Sequence, residues 1–150
     1  MYGAGIAACA VHFMRPAGIT ALSIFFVFGA AASGFAAASL LVPGGVLDPM
    51  WRVNPRGHEG LLQLGPAAVV LMLVVCTACV IAAVGLWKGR RFGWWTALGM
   101  LAANGTGDLI NGLLMDSRTL IGVPIALALV AYLLTPRART FFRVDAGHNA

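Results

Sequence analysis

The residue best suited to do chemistry is Asp108, within Asn104-Gly105-Thr106-Gly107-Asp108-Leu109-Ile110-Asn111-Gly112. This stretch is polar and glycine-rich, yet it lies inside a segment otherwise apolar enough to cross a bilayer, and Asp108 is the only acidic residue in any predicted span. On a helix advancing roughly 100° per residue, Asn104, Asp108, Asn111 and Met115 fall within about 60° of one another and form a polar stripe. Lipid cannot satisfy such a stripe, so it faces a partner, a ligand or water. A carboxyl group in hydrocarbon is either protonated or held by a cation and hydrogen-bond donors. Two roles follow. Asp108, Asn104 and Asn111 form a pocket for a small ligand, proton or cation, or they form a structural network that pins their helix.

Cations that could reach Asp108 come from two connections. Arg52 and Arg56 belong to a varied loop at 43–60, with Trp51 beside them as a headgroup-level anchor, and Arg118 belongs to the short link Asp116-Ser117-Arg118. Asp48 before Pro49 reads as an N-cap followed by proline at the first helical position, which predicts a single turn through Trp51 and Arg52 ended by Asn54-Pro55.

Other reactive residues carry less. Cys76-Thr77-Ala78-Cys79 has the spacing of a dithiol motif, but it sits near the middle of an apolar span where hydrophilic partners are excluded. The cysteines read as small residues that face a neighbouring helix. His58 and Glu59 are adjacent and so point apart on a helix, and no second histidine follows at i+4, which argues against a zinc motif. No catalytic pair, metal or cofactor is expected, and the reading leans away from an enzyme.

Composition dictates the elements that position these groups. The chain has 150 residues, 60% hydrophobic and only 10% charged, with a mean hydropathy of +0.88. Soluble domains carry about 25% charged residues, so this is the balance of an integral membrane protein. Four runs approach the roughly 20 residues of a helical crossing: about 17–42, 66–87, 93–115 and 119–135. The fold class is all-α: a four-helix transmembrane bundle occupying 14–136, with a short interfacial helix in its outer loop. In the first span, Gly29, Ser33 and Ala37 recur every four residues and permit close helix packing, or association of two copies. Residues 1–13 read as a disordered or misannotated leader before Met14-Arg15-Pro16, and 137–150 as a basic tail with an interfacial strip.

Orientation follows from the positive charges. With both ends inside, Arg15, Lys88, Arg90, Arg91, Arg137, Arg139 and Arg143 are cytoplasmic, while Arg52, Arg56 and Arg118 lie outside. Asp108 is 14 residues beyond Trp94, roughly 21 Å into a core about 30 Å thick, hence in the outer half with the varied loop. The net charge of +5 is explained by this asymmetry, and nothing resembles a nucleic-acid-binding surface. The expected partners are the bilayer, a second copy through the first helix, or another membrane protein.

Several short patterns together carry a resemblance: Arg15-Pro16-Ala17-Gly18-Ile19, Leu47 to Arg56, Gly85-Leu86-Trp87 before a basic turn, Gly93-Trp94-Trp95, and Arg118-Thr119-Leu120-Ile121-Gly122-Val123-Pro124-Ile125. Over about residues 14–140 the chain resembles small bacterial four-helix inner-membrane proteins of unknown function. That resemblance implies a location in the bacterial inner membrane and brings no activity. The function expected is a non-enzymatic accessory or binding protein, with a minimal transporter or channel subunit using Asp108 as the alternative.

Overall fold

The computed structural model describes residues 16–114 and 120–144. The leader at 1–13, Arg15, Met115, Arg118 and the tail beyond 144 lie outside the described residues. Among the described residues there are six α-helices: α1 Ala17–Leu41, α2 Pro55–Leu64, α3 Pro66–Trp87, α4 Arg91–Leu114, α5 Gly122–Leu134 and α6 Pro136–Val144. A 3-10 turn, Asp48–Arg52, lies between α1 and α2.

Proline and glycine set most boundaries. α1 follows Pro16, whose carbonyl accepts from Ile19 N–H at 2.9 Å, and it stops before Pro43-Gly44-Gly45, where Gly44 has φ +79°. Asn54-Pro55 ends the turn, as expected, and also starts a helix. The Asn54 side chain accepts from Gly57 N–H at 2.9 Å and Pro55 occupies the first helical position, so α2 is a separate helix. Gly65, at φ +58°, breaks the chain before Pro66 opens α3. The Asp48 cap is corrected: Asp48 is the first residue of the turn, and its carboxylate reaches back to α1 and the loop.

α1, α3, α4 and α5 pack side by side in chain order. The α1–α3 interface is the most extensive, and small residues make it close. A Cβ on Gly29 would lie 3.3 Å from Cys79 Sγ, one on Gly34 would lie 3.6 Å from Cys76 Sγ, and the Cys76 thiol donates to Ala30 O at 3.3 Å. Both cysteines therefore face α1, and Gly29 of the small-residue stripe is taken up by α3 within the chain. Buried Ser23 and Ser33 satisfy their hydroxyls on the carbonyls of Ile19 and Gly29, so they add no unpaired polar group.

The helices converge at one end, called here the basic end because it carries the Lys88–Arg90 turn. Its core joins Ile19, Leu22 and Phe26 of α1 to Cys79, Ala82 and Leu86 of α3, and these to Trp94, Ala97 and Leu101 of α4, with Leu133 and Phe142 closing it. α3 and α4 touch through Gly85 and Gly93, where a Cβ on either would fall on the other's backbone. Trp94 Nε1–H donates to Leu133 O at 3.0 Å and ties α4 to α5. The opposite end carries the loop.

Outward faces are apolar on several helices, with Phe25 and Phe28 on α1, Leu73 and Val74 on α3, and Ile110 and Leu113 on α4 all exposed. A girdle on this scale suits a lipid environment. α1, with 25 residues and a hydropathy of 2.0, and α3, with 22 residues and 2.9, are long and apolar enough to cross a membrane. The pair α5–α6, bent by 60°, makes up to three. The four expected crossings therefore reduce, by length and composition, to two or three candidate spans. α5 has only 13 residues, and the 24 residues of α4 include the polar stretch.

Candidate functional site

Asp108 is positioned by glycines. Gly105, Asp108 and Gly112 recur at spacings of three and four and so share one side of α4, the side that meets α5. A Cβ on Gly105 would lie 3.0 Å from the Ala126 Cβ, and one on Gly112 would fall on the Leu120 side chain. With no side chains at these two positions, α5 comes close enough for the Asp108 carboxylate to lie against the backbone of Gly122, where a Cβ would collide with Oδ2. Gly122 is the first residue of α5, whose N-cap Ile121 supplies no side-chain hydrogen bond. The first-turn N–H groups of a helix lack intrahelical partners and carry the positive end of the helix dipole, so a carboxylate there is favoured by about 0.3–1 kcal/mol.

The expected polar stripe divides. Asp108 is half-buried toward α5, whereas Asn104 and Asn111 are exposed on the neighbouring side of the same helix. Gly107, between them, has open space where a Cβ would go, and so does Gly99 two turns nearer the basic end from Gly107. Thr106 is exposed and donates to Ala102 O at 2.8 Å, which satisfies it locally. One side of this segment thus holds a carboxylate inside the bundle, and the adjoining side presents two amides outward.

The loop residues form a different cluster. Trp51 Nε1–H donates to Ser39 Oγ at 2.8 Å, Ser39 Oγ–H donates to Asp48 Oδ1 at 2.9 Å, and Gly44 N–H donates to Asp48 Oδ2 at 2.6 Å. The Trp51 indole stacks on His58 with centroids 4.6 Å apart and planes 9° apart. The loop is thereby folded onto the end of α1, and its turn contacts α2, which in turn contacts α3. Arg52 and Arg56 are exposed. Trp51 is committed to Ser39 and His58, while the Asp108 carboxylate is set against α5. Sequence reasoning passed over Ser39 and gave Asp48 a capping role. The available signal was Ser39 at the end of a small-residue helix, four residues before Pro43 and nine before Asp48.

Chemically, the α4–α5 site offers one carboxylate at a helix start with two amides nearby. It can hold a proton, a cation or a hydrogen-bonding partner; no group of three or more potential metal-ligating side chains occurs among the described residues. Compared with protein-family models, curated proteins and solved structures, the chain finds no match. No family is identified, and the resemblance keeps only its coarser content, a helical protein with two or three candidate membrane spans.

Proposed function

We propose that this is a multi-pass protein of the bacterial inner membrane with four crossings and both ends cytoplasmic, acting as a non-enzymatic accessory or binding protein. Two features support counting α4 as a crossing despite its polarity. Its 24 residues extend about 36 Å, more than the hydrocarbon thickness of about 30 Å, and it packs against α3, itself a candidate span. Seven basic residues on one side of the spans against three on the other support the orientation.

The observation that carries the reading is the placement of Asp108, Asn104 and Asn111. A carboxylate held at the start of α5, beside two outward amides in an otherwise apolar helix, is arranged to meet a polar group of a partner or ligand from the side. Arg52, Arg56 and Trp51 of the separate loop cluster, and Arg118 of the link at 116–118, are proposed as further outer-face residues for the same partner. The partner proposed is a second copy or another membrane protein. Purification in mild detergent, with mass determination of the intact assembly, tests this. A second copy or partner recovered at fixed stoichiometry, and lost in Asn104→Leu/Asn111→Leu, is expected. A monomer that supports proton or cation flux in vesicles, abolished by Asp108→Asn, would replace this reading with that of a minimal carrier.

A further inference from the structure

A second site lies at the opposite end of α4 from Asp108. The chain bends by 60° between α5 and α6, and α6 contacts α4, with residues of both lining one concavity. Thr135 supports the bend: its hydroxyl donates to Tyr132 O at 2.7 Å and accepts from Ala138 N–H at 3.4 Å. Ala138 and Phe142 are then buried, and Arg139 is brought to the same concavity as Arg91, the first residue of α4. The concavity has a volume of about 230 Å³ and is lined by Arg91, Trp94, Trp95, Arg139 and Phe142. At about 30 Å³ for each water in the liquid, it has room for a tetrahedral anion with several waters.

Two guanidinium groups on different helices open into this one space. Among the described residues, neither has a hydrogen bond or a carboxylate partner. Like charges facing one cavity repel, and an anion between them turns repulsion into attraction. A guanidinium offers a planar fork of donors that matches phosphate oxygens bidentately. The apolar wall is rigid as well: Trp94 is fixed by its bond to Leu133 O, and its ring meets Trp95 edge-on at 4.7 Å. Tryptophan favours the headgroup level of a bilayer, and a short helix with buried phenylalanine and outward arginine favours the same depth.

We infer that the cavity between the start of α4 and α6 binds a phosphate group, through Arg91 and Arg139, as presented by an anionic phospholipid headgroup. The site is separate from Asp108 and stands whether or not that residue meets a partner. Arg137, on the same helix but outside the lining, serves as the internal control. A diffuse attraction of α6 for a charged surface would weight Arg137 and Arg139 alike, whereas a built site distinguishes them.

The test uses the full chain carrying Trp51→Phe and Trp87→Phe, so that emission reports Trp94 and Trp95. It is reconstituted in phosphatidylcholine vesicles containing brominated phosphatidylglycerol or, in a parallel series, brominated phosphatidylcholine. The expected result is half-maximal quenching at about a tenfold lower mole fraction of the anionic lipid. Arg91→Gln or Arg139→Gln should remove about tenfold of that preference, the loss expected of one charge-assisted hydrogen bond, and Arg137→Gln should retain it. Inorganic phosphate, titrated without anionic lipid, separates the sources. An Arg139-dependent emission change at submillimolar phosphate assigns the site to a free anion, and silence there with lipid preference intact assigns it to the headgroup. Equal quenching by both lipids with no phosphate response, or equal effects of Arg137→Gln and Arg139→Gln, overturns the inference.

Discussion

Gly85→Ala pits two effects of opposite sign against each other. In a helix interior alanine is favoured over glycine by about 0.8–1 kcal/mol, so propensity alone predicts a gain. The structure predicts a loss, because a Cβ on Gly85 would overlap Gly93 Cα, lie 2.9 Å from Gly93 N and lie 3.0 Å from Phe92 Cε2. Most of these atoms are backbone, with no side chain that can rotate away, so α3 and α4 must part by on the order of an ångström. Parting them loosens the contacts of Ala82, Ala83 and Leu86 with Trp94 and Ala97 in the core at the basic end. Overpacking of this kind costs about 1–3 kcal/mol, and its upper range applies where backbone meets backbone. Set against the propensity gain, the net expectation is a destabilisation of about 1–2 kcal/mol. Gly99→Ala, on α4 where nothing lies within 4 Å, is the control and is expected to gain about 1 kcal/mol. Reversible unfolding in mixed micelles, with the denaturing detergent titrated and helicity followed by circular dichroism, measures both. The double variant Gly85→Ala/Gly93→Ala should cost less than the sum of the singles, since the helices are already apart. If Gly85→Ala proves as stable as Gly99→Ala, the close approach of α3 and α4 is refuted.

Gly122→Ala is expected to cost about 1–3 kcal/mol in the natural background, because its Cβ displaces the Asp108 carboxylate, and clearly less in Asp108→Ala. The same unfolding assay, run as a double-mutant cycle, gives the coupling, and additive effects would show that the two residues are apart. Ser39→Ala leaves Trp51 Nε1–H and one Asp48 oxygen without their partner. It should cost about 1 kcal/mol and speed hydrogen exchange over residues 43–54 while leaving α4 protected.

The sequence alone determined that the chain is helical and carries runs long and apolar enough to be candidate membrane spans, and it located most helix boundaries, because these depend on local chemistry. Apolar runs of spanning length, Pro43-Gly44-Gly45, Gly65-Pro66 and the Lys88–Arg90 turn act through backbone conformation and transfer energy, which neighbouring residues settle among themselves. It also singled out Asp108, since one carboxylate in an apolar helix is conspicuous wherever that helix packs. α2 was only partly legible: Asn54-Pro55 was read as a stop, although the same cap and proline geometry starts the next helix.

Direction and distance belonged to the tertiary structure. A helical wheel puts Asp108 with Asn104 and Asn111, but packing of α5 onto Gly105 and Gly112 draws the carboxylate inward and leaves the amides outside. Gly29 and the two cysteines were readable as packing residues, yet only the α1–α3 interface shows which helix they meet. The contact of Arg91 with the same cavity as Arg139, 48 residues along the chain, depends on a bend at Thr135 that periodicity does not encode. Pairing between distant residues is fixed by which surfaces fit, and that property belongs to the assembled helices rather than to any one segment.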